Sequence, residues 1–272
     1  MGITTISWTA TAQPDGSVTP GFTYNPWIGC HRVSPACAHC YADTLATNRM
    51  GLDVWDRKTP RPRKMMSEAY WHNPLKWEKA AAATGQRAKV FCASMADVFE
   101  DHPDVLEARH RLWHIVDATP HLDWLVLTKR PENVLGMVPF RWCNKGKWPD
   151  NVWLGTSVEN QHFADIRIPQ LLQIPAKVRF LSCEPLLGPL DLSPWLPTRA
   201  LHWVIVGGES GTGFRPMHLD HARALRDQCA VAGVPYFFKQ IGGIRSTSGG
   251  DLLDEQRYHA WPQTRITADS AH

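Results

Sequence analysis

A chain of 272 residues with 43% hydrophobic and 20% charged side chains has the make-up of an ordinary globular protein, which excludes wholesale disorder and allows one large domain or two small ones. A net charge of +3 is too small to argue for nucleic acid by itself, and no apolar stretch approaches the roughly 20 residues of a membrane helix. The start, Met1 to Trp8, lacks a basic region followed by an apolar run, so no signal peptide is expected. Seven cysteines, an odd number, argue for a reducing compartment rather than a disulfide framework. The chain is expected to be soluble and cytoplasmic, with no membrane partner.

Taken in chain order, the first segment that carries chemistry runs from Gly29 to Ala42 and holds Cys30, Cys37 and Cys40 as Cys-x6-Cys-x2-Cys. Pro26 and Trp27 blur a strand expected just before it. A basic stretch, Arg57 to Lys64, follows; a solvated loop is its favoured reading, with phosphate contact as the alternative. Short apolar runs then recur at Lys89–Cys92, Trp124–Leu127, Val152–Gly155, Val178–Leu181, Trp203–Val206 and Pro235–Phe238. Helical patterns lie at Tyr41–Met50, Pro74–Ala83, Pro103–Ala118, Phe163–Leu172 and His221–Ala232. Continuous apolar strands alternating with helices predict a parallel sheet covered on both faces.

Each apolar run ends in polar residues: Ser94 and Asp97, then Lys129, then Ser157, Glu159 and Asn160, then Ser182 and Glu184, then Gly207, Gly208 and Glu209, and finally Lys239 and Gln240. The C-terminal edge of parallel strands is where barrels and doubly wound sheets place ligands. Six polar ends in succession favour a lined cavity, on a partial or complete β/α (TIM-like) barrel with the cysteine loop at its mouth. Phe140–Asp150 reads as an inserted loop. The barrel domain is expected over residues 1–243, and residues 244–272 as a polar C-terminal tail with a short hairpin and a disordered end. Thirteen tryptophans supply many rigid packing groups, some of them expected to line a pocket.

Thiolates select soft or borderline metals. Cys30, Cys37 and Cys40 suit either three irons of a 4Fe-4S cluster, with the fourth iron open, or a zinc ion with His31 or His39 as fourth ligand. The spacing leaves these two readings level. Among the strand-end groups, Asp97 and the glutamates need a partner or ligand to offset burial. Lys129 suits a carboxylate or phosphate, and Gly207 and Gly208 would permit close backbone approach.

Several blocks together resemble the phage Gp37/Gp68 family (DUF5131). They are Tyr24 to Cys30, Cys37 to Ala42, Ser94 to Asp97, Leu127 to Pro131, Val152 to Asn160, Arg179 to Leu187, Val204 to Gly211 and Phe237 to Gln240. That family is in turn similar to radical S-adenosylmethionine (SAM) enzymes of the spore photoproduct lyase branch, through the Gly-Cys start and Cys-x2-Cys-Tyr-Ala end of the loop. The first gap is six residues where three is usual, which is compatible because only the final geometry at sulfur matters.

The resemblance implies a 4Fe-4S cluster on Cys30, Cys37 and Cys40, with SAM cleaved to a 5′-deoxyadenosyl radical. It implies catalytic roles for those cysteines. Strand-end placement adds Lys129 as a catalytic candidate, and Tyr41, Ser94, Asp97, Ser157, Glu159, Ser182, Glu184, Gly207, Gly208 and Glu209 as candidate cofactor contacts. The resemblance itself gives Glu209 no definite contact, because its Gly-Gly-Glu follows a late strand. It further implies an external flavodoxin- or ferredoxin-like electron donor and a nucleic acid base or nucleotide as substrate. The rival expectation is a zinc-stabilised nucleic-acid-binding protein without catalysis. An iron–sulfur electron carrier is less favoured, because it would need no lined cavity.

Overall fold

Seven strands, β1 (Phe22–Thr23), β2 (Ala88–Cys92), β3 (Leu122–Thr128), β4 (Val152–Ser157), β5 (Arg179–Cys183), β6 (Trp203–Gly207) and β7 (Tyr236–Gln240), form one sheet in chain order. Every neighbouring pair is parallel. The computed structural model describes residues 2–13, 16–144, 146–245 and 247–263. Parallel neighbours need crossovers. Helices α1 (Tyr41–Met50) and α2 (Asn73–Thr84) lie between β1 and β2, α3 (Leu106–Asp117) between β2 and β3, α4 (Gln161–Gln173) between β4 and β5, and α5 (Leu219–Ala232) between β6 and β7. Local chemistry starts them: Pro74 sits in the first turn of α2, and the Asn160 side chain accepts the Phe163 N–H to cap α4.

The strands read as unbroken apolar runs because both faces are buried. Val90, Trp124, Leu154, Leu181, Val204 and Phe238 pack under the helices. The alternate residues Phe91, Leu125, Trp153, Phe180, Trp203 and Phe237 fill the other face around Trp8. The Trp8 ring lies 4.6 Å from Phe91 on β2 and 6.0 Å from Trp203 on β6. In a flat sheet those strands would stand four spacings apart, roughly 19 Å. One indole touching both requires the sheet to curl, and the fold is a partial β/α barrel. Among the described residues, the edge strands β1 and β7 do not pair with each other.

Three segments differ from their sequence reading. The strand preceding the cysteine loop divides at Pro26: Phe22–Thr23 joins the sheet, whereas Trp27–Ile28 pairs antiparallel with Lys64–Met65 in a separate ribbon. The stretch Phe140–Asp150, read as an inserted loop, begins with a short helix, Phe140–Cys143. It buries Trp142 and Trp148, whose rings continue from Trp113 at centroid spacings of 5.2 and 5.7 Å. After a hairpin at Leu252–Arg257, residues 258–261 lie along β7, with the Phe238 N–H on the Tyr258 carbonyl (2.8 Å) and the Trp261 indole N–H on the Trp8 carbonyl (3.0 Å). The tail's expected disordered end, residues 264–272, lies outside the described residues. Among the described residues no helix is long and apolar enough to cross a membrane.

A thiol-lined cavity at the strand ends

Parallel register brings the strand-end side chains level, so that Ser157 on β4 stands opposite Ser182 on β5. Above them lies a cavity of about 190 Å³. Cys30, Cys37, Cys40 and Tyr41 line it from the cysteine loop. Ser94, Asp97, Lys129, Ser157, Ser182, Glu184, Gly208 and Glu209 line it from the strand ends, and Ile6, Trp8, Phe91 and Leu127 give it an apolar wall. Two of the anticipated site residues, Glu159 and Gly207, are not in the lining. Glu159 is fully buried. It takes the Arg167 guanidinium at 2.9 Å and the Ala36 N–H at 3.4 Å, so it anchors the loop from behind.

The loop is held by carboxylates that follow alternate strands, Glu100 after β2, Glu159 after β4 and Glu209 after β6, each neutralised by an arginine. Glu100 accepts the His31 N–H (3.0 Å) and is paired with Arg63 (2.7 Å). Glu209 contacts His39 Nδ1 (3.0 Å) and the Arg215 N–H (2.8 Å), and Arg215 in turn donates to the Pro35 carbonyl (3.0 Å). At the loop's entrance Gly29 has φ +124°, and a Cβ there would stand 2.4 Å from the Val54 carbonyl oxygen, so only glycine fits. Burial of these charges is tolerable because each has an opposite partner and hydrogen bonds.

The three thiols sit in different fields. Burial raises the Cys30 thiol well above the usual range, against the pull of Arg130. Burial would raise Cys37 too, but Lys129 and the backbone N–H groups of Val33 and Ser34 outweigh it and hold that thiol below its ordinary value. Cys40 is raised by burial, opposed by the Asp43 N–H and Lys129. Lys129 thus acts on two of the three sulfurs, and its Nζ lies 3.4 Å from Ser157 Oγ. Burial alone would also raise Asp97, yet Arg130, the Lys129 N–H and the Thr128 hydroxyl hold its carboxyl low.

Across the cavity, Lys239 donates to Glu184 at 2.6 Å and Gln240 to the same oxygen at 2.7 Å. Tyr41 donates to the Ser94 carbonyl at 2.8 Å, which fixes its ring beside the thiols. Gly208 makes its close approach to another strand's continuation: a Cβ there would lie 1.8 Å from the Ile241 carbonyl oxygen. Most of the basic stretch is exposed, as expected of a solvated loop, but its arginines are paired within the chain. Arg57 pairs with Asp43, Arg61 with Asp53, and the fully buried Arg63 side chain with Glu100 and Asp56.

Sequence reading missed Glu100, Arg130 and Arg215. Arg130 could have been found from its place beside Lys129 at a strand end, and Glu100 from its place three residues after Asp97. Nothing in the pattern marked Arg215.

Three thiols, two flanking cations and no calcium- or magnesium-type oxygen cage make the donor set one for a soft or borderline metal or an iron–sulfur cluster. Among the described residues no three His, Cys, Asp or Glu side chains stand close enough together to hold an ion as placed. The fit therefore lies in donor type and in the sharing of one cavity.

Fold and site together define a partial parallel β/α barrel with a cysteine-bearing loop over its strand ends. The chain belongs to the family described as "Protein of unknown function (DUF5131)", which matches residues 4–262. No curated protein matches it. A solved structure of a spore photoproduct lyase cysteine-to-serine mutant is similar with TM-score 0.42 and 11% identity, over 80% of this chain and 63% of that one. This chain thus spans less than two thirds of that protein's length.

Proposed function

We propose that this protein is a radical SAM enzyme that holds a 4Fe-4S cluster on Cys30, Cys37 and Cys40 and acts on a nucleobase or nucleotide. The observation that carries the reading is that these three thiols share one cavity at the C-terminal ends of a partial parallel barrel. The other cysteines are elsewhere: Cys92, Cys183 and Cys229 are buried in the main core, and Cys143 donates to the Leu135 carbonyl. Three thiolates leave one iron of a cubane cluster to an outside ligand. When bound, the cluster and SAM supply reductive cleavage of the sulfonium and hydrogen-atom abstraction.

The chain's own residues then bind and orient. Lys129 offers a cation to a carboxylate or phosphate, and the Ser94, Ser157 and Ser182 hydroxyls offer short polar contacts. Trp8 and Phe91 give a flat substrate an apolar wall and exclude water from one side. Electrons come from an external flavodoxin- or ferredoxin-like donor. With Lys239 held by Glu184, and Arg57, Arg61 and Arg63 by their own carboxylates, phosphate contact in the cavity falls to Lys129.

One observation favours a second reading. A carboxylate on one nitrogen of a histidine is the arrangement that orients histidine metal ligands, and His39 has it from Glu209. That supports a Cys3His zinc site in a non-catalytic nucleic-acid-binding protein.

Anaerobic reconstitution with iron and sulfide, followed by SAM and dithionite, separates the two. The expected result is 5′-deoxyadenosine and methionine, lost in Cys30→Ala, Cys37→Ala and Cys40→Ala. Bound zinc, no iron–sulfur absorbance and no product would overturn the reading and promote the zinc one.

A further inference from the structure

Arg130 ends the β3 edge of the cavity and is only 3% exposed. Its guanidinium bridges three groups. Nη1 donates to Asp97 Oδ2 at 2.7 Å, and Nη2 donates to the His31 carbonyl at 3.0 Å and lies 3.1 Å from His31 Nδ1. Both terminal nitrogens also stand 3.8 Å from Cys30 Sγ, within hydrogen-bond reach of sulfur. Asp97 is itself fixed by the Thr128 hydroxyl (2.7 Å) and by the N–H groups of Lys129 (2.9 Å) and Phe99 (3.0 Å). A planar fork is what this junction requires, because one cation must serve a carboxylate, a carbonyl and a sulfur in fixed directions. Lysine could keep the charge but not the simultaneous contacts.

We infer that Arg130 is a positioning residue for the cysteine centre. It aims Cys30 Sγ into the cavity and offsets the negative charge that three thiolates bring to a bound metal. The chain of support runs from the backbone after β3 through Asp97 and Arg130 to the sulfur, the kind of outer partner that orients metal ligands and tunes their affinity. This rests on the proposed metal-binding role of the three thiols and is independent of which reaction follows.

Cobalt(II) is the probe. The apo chain is titrated anaerobically with Co(II), reading the thiolate-to-cobalt charge-transfer absorbance, for wild type, Arg130→Gln, Arg130→Lys and Cys30→Ser; thermal melting is recorded on each. Arg130→Gln is expected to weaken cobalt binding by about 10- to 100-fold, the usual cost of losing such a partner. Arg130→Lys is expected to recover part of that loss, and Cys30→Ser to lower the band intensity. Wild-type affinity in Arg130→Gln would overturn the inference, as would a wild-type chain without the charge-transfer band.

If Arg130→Gln does not fold, Arg130→Lys decides: weaker binding in a folded chain supports the role, and wild-type binding refutes it. SAM cleavage by the reconstituted protein is scored separately. No cleavage with the expected cobalt pattern sinks the radical reading and leaves this inference standing. Cleavage with cobalt affinity unchanged in Arg130→Gln does the reverse.

Discussion

Below their ends, the strands enclose rings: Trp8, Phe91, Trp153, Phe180, Trp203 and Phe237 fill the concave face of the sheet. At their ends the same strands carry Asp97, Arg130, Glu159, Glu184 and Glu209, all in ion pairs and holding or facing a loop of three thiols. The two regions solve opposite problems. Rings gain stability simply by leaving water, and their contacts are non-directional. Buried ion pairs add little net stability, since desolvation nearly offsets attraction, but they fix directions. A molecule that places its directional, costly groups in one layer and its apolar mass in the next is built to hold something in that layer.

Breaking the upper region should abolish chemistry and leave the fold. Cys30→Ala, Cys37→Ala and Cys40→Ala are each expected to reduce 5′-deoxyadenosine formation to background. Their melting temperatures should stay near wild type, because these thiols line the cavity and stand outside the main core. Unfolding in any of the three variants would mean that the loop is a structural staple.

Breaking the lower region should strike the fold itself. Trp8→Ala removes a ring that touches both sides of the curled sheet and is expected to cost about 3–5 kcal/mol in urea unfolding. A cost near zero would show that Trp8 does not hold the curl.

Lys89 sharpens the contrast, since it is a buried cation placed low in the barrel. Its Nζ donates to the Ala10 carbonyl at 2.9 Å and lies 6.0 Å from the Trp153 ring. Burial lowers its pKa to about 8 from 10.5, with Asp123 opposing. The folded state therefore releases this proton before the unfolded state does, so the penalty is full below about pH 8 and is relieved as pH rises to about 10.5. Relative to Lys89→Met, wild-type stability should climb between those limits by a figure on the order of 3 kcal/mol. A constant difference across that range would refute the assignment.

The smallest effect is expected at the rim. Arg57→Ala breaks a half-exposed pair with Asp43 and should cost about 1 kcal/mol or less by thermal melting. A large loss would place the basic stretch among the groups that hold the loop.

Much of the lower region was legible. Apolar runs of four residues separated by helical patterns marked β2 to β7 within one or two residues, because burial on both faces leaves no polar alternation to misread. The cysteine loop was legible from spacing alone. What holds it was not, since the contacts are remote in sequence: Arg130 reaches back 99 residues to His31, and Glu100 reaches 69. Arg63 misled in another way. Within a basic run it reads as a surface charge, yet its side chain is fully buried between Glu100 and Asp56. A sequence shows charge but not the partner that allows it inside.

The contact between the Trp261 indole N–H and the Trp8 carbonyl joins residues 253 positions apart, close to both ends of the described chain. During synthesis, Trp8 precedes this partner by 253 residues, and all seven strands of the sheet are made in between. Until then its ring faces a sheet whose last strands are missing, a sticky intermediate of the kind chaperones shield. Closure over Trp8 is thus tied to a segment that follows the last strand, and chains halted before it would display the surface that the finished fold hides.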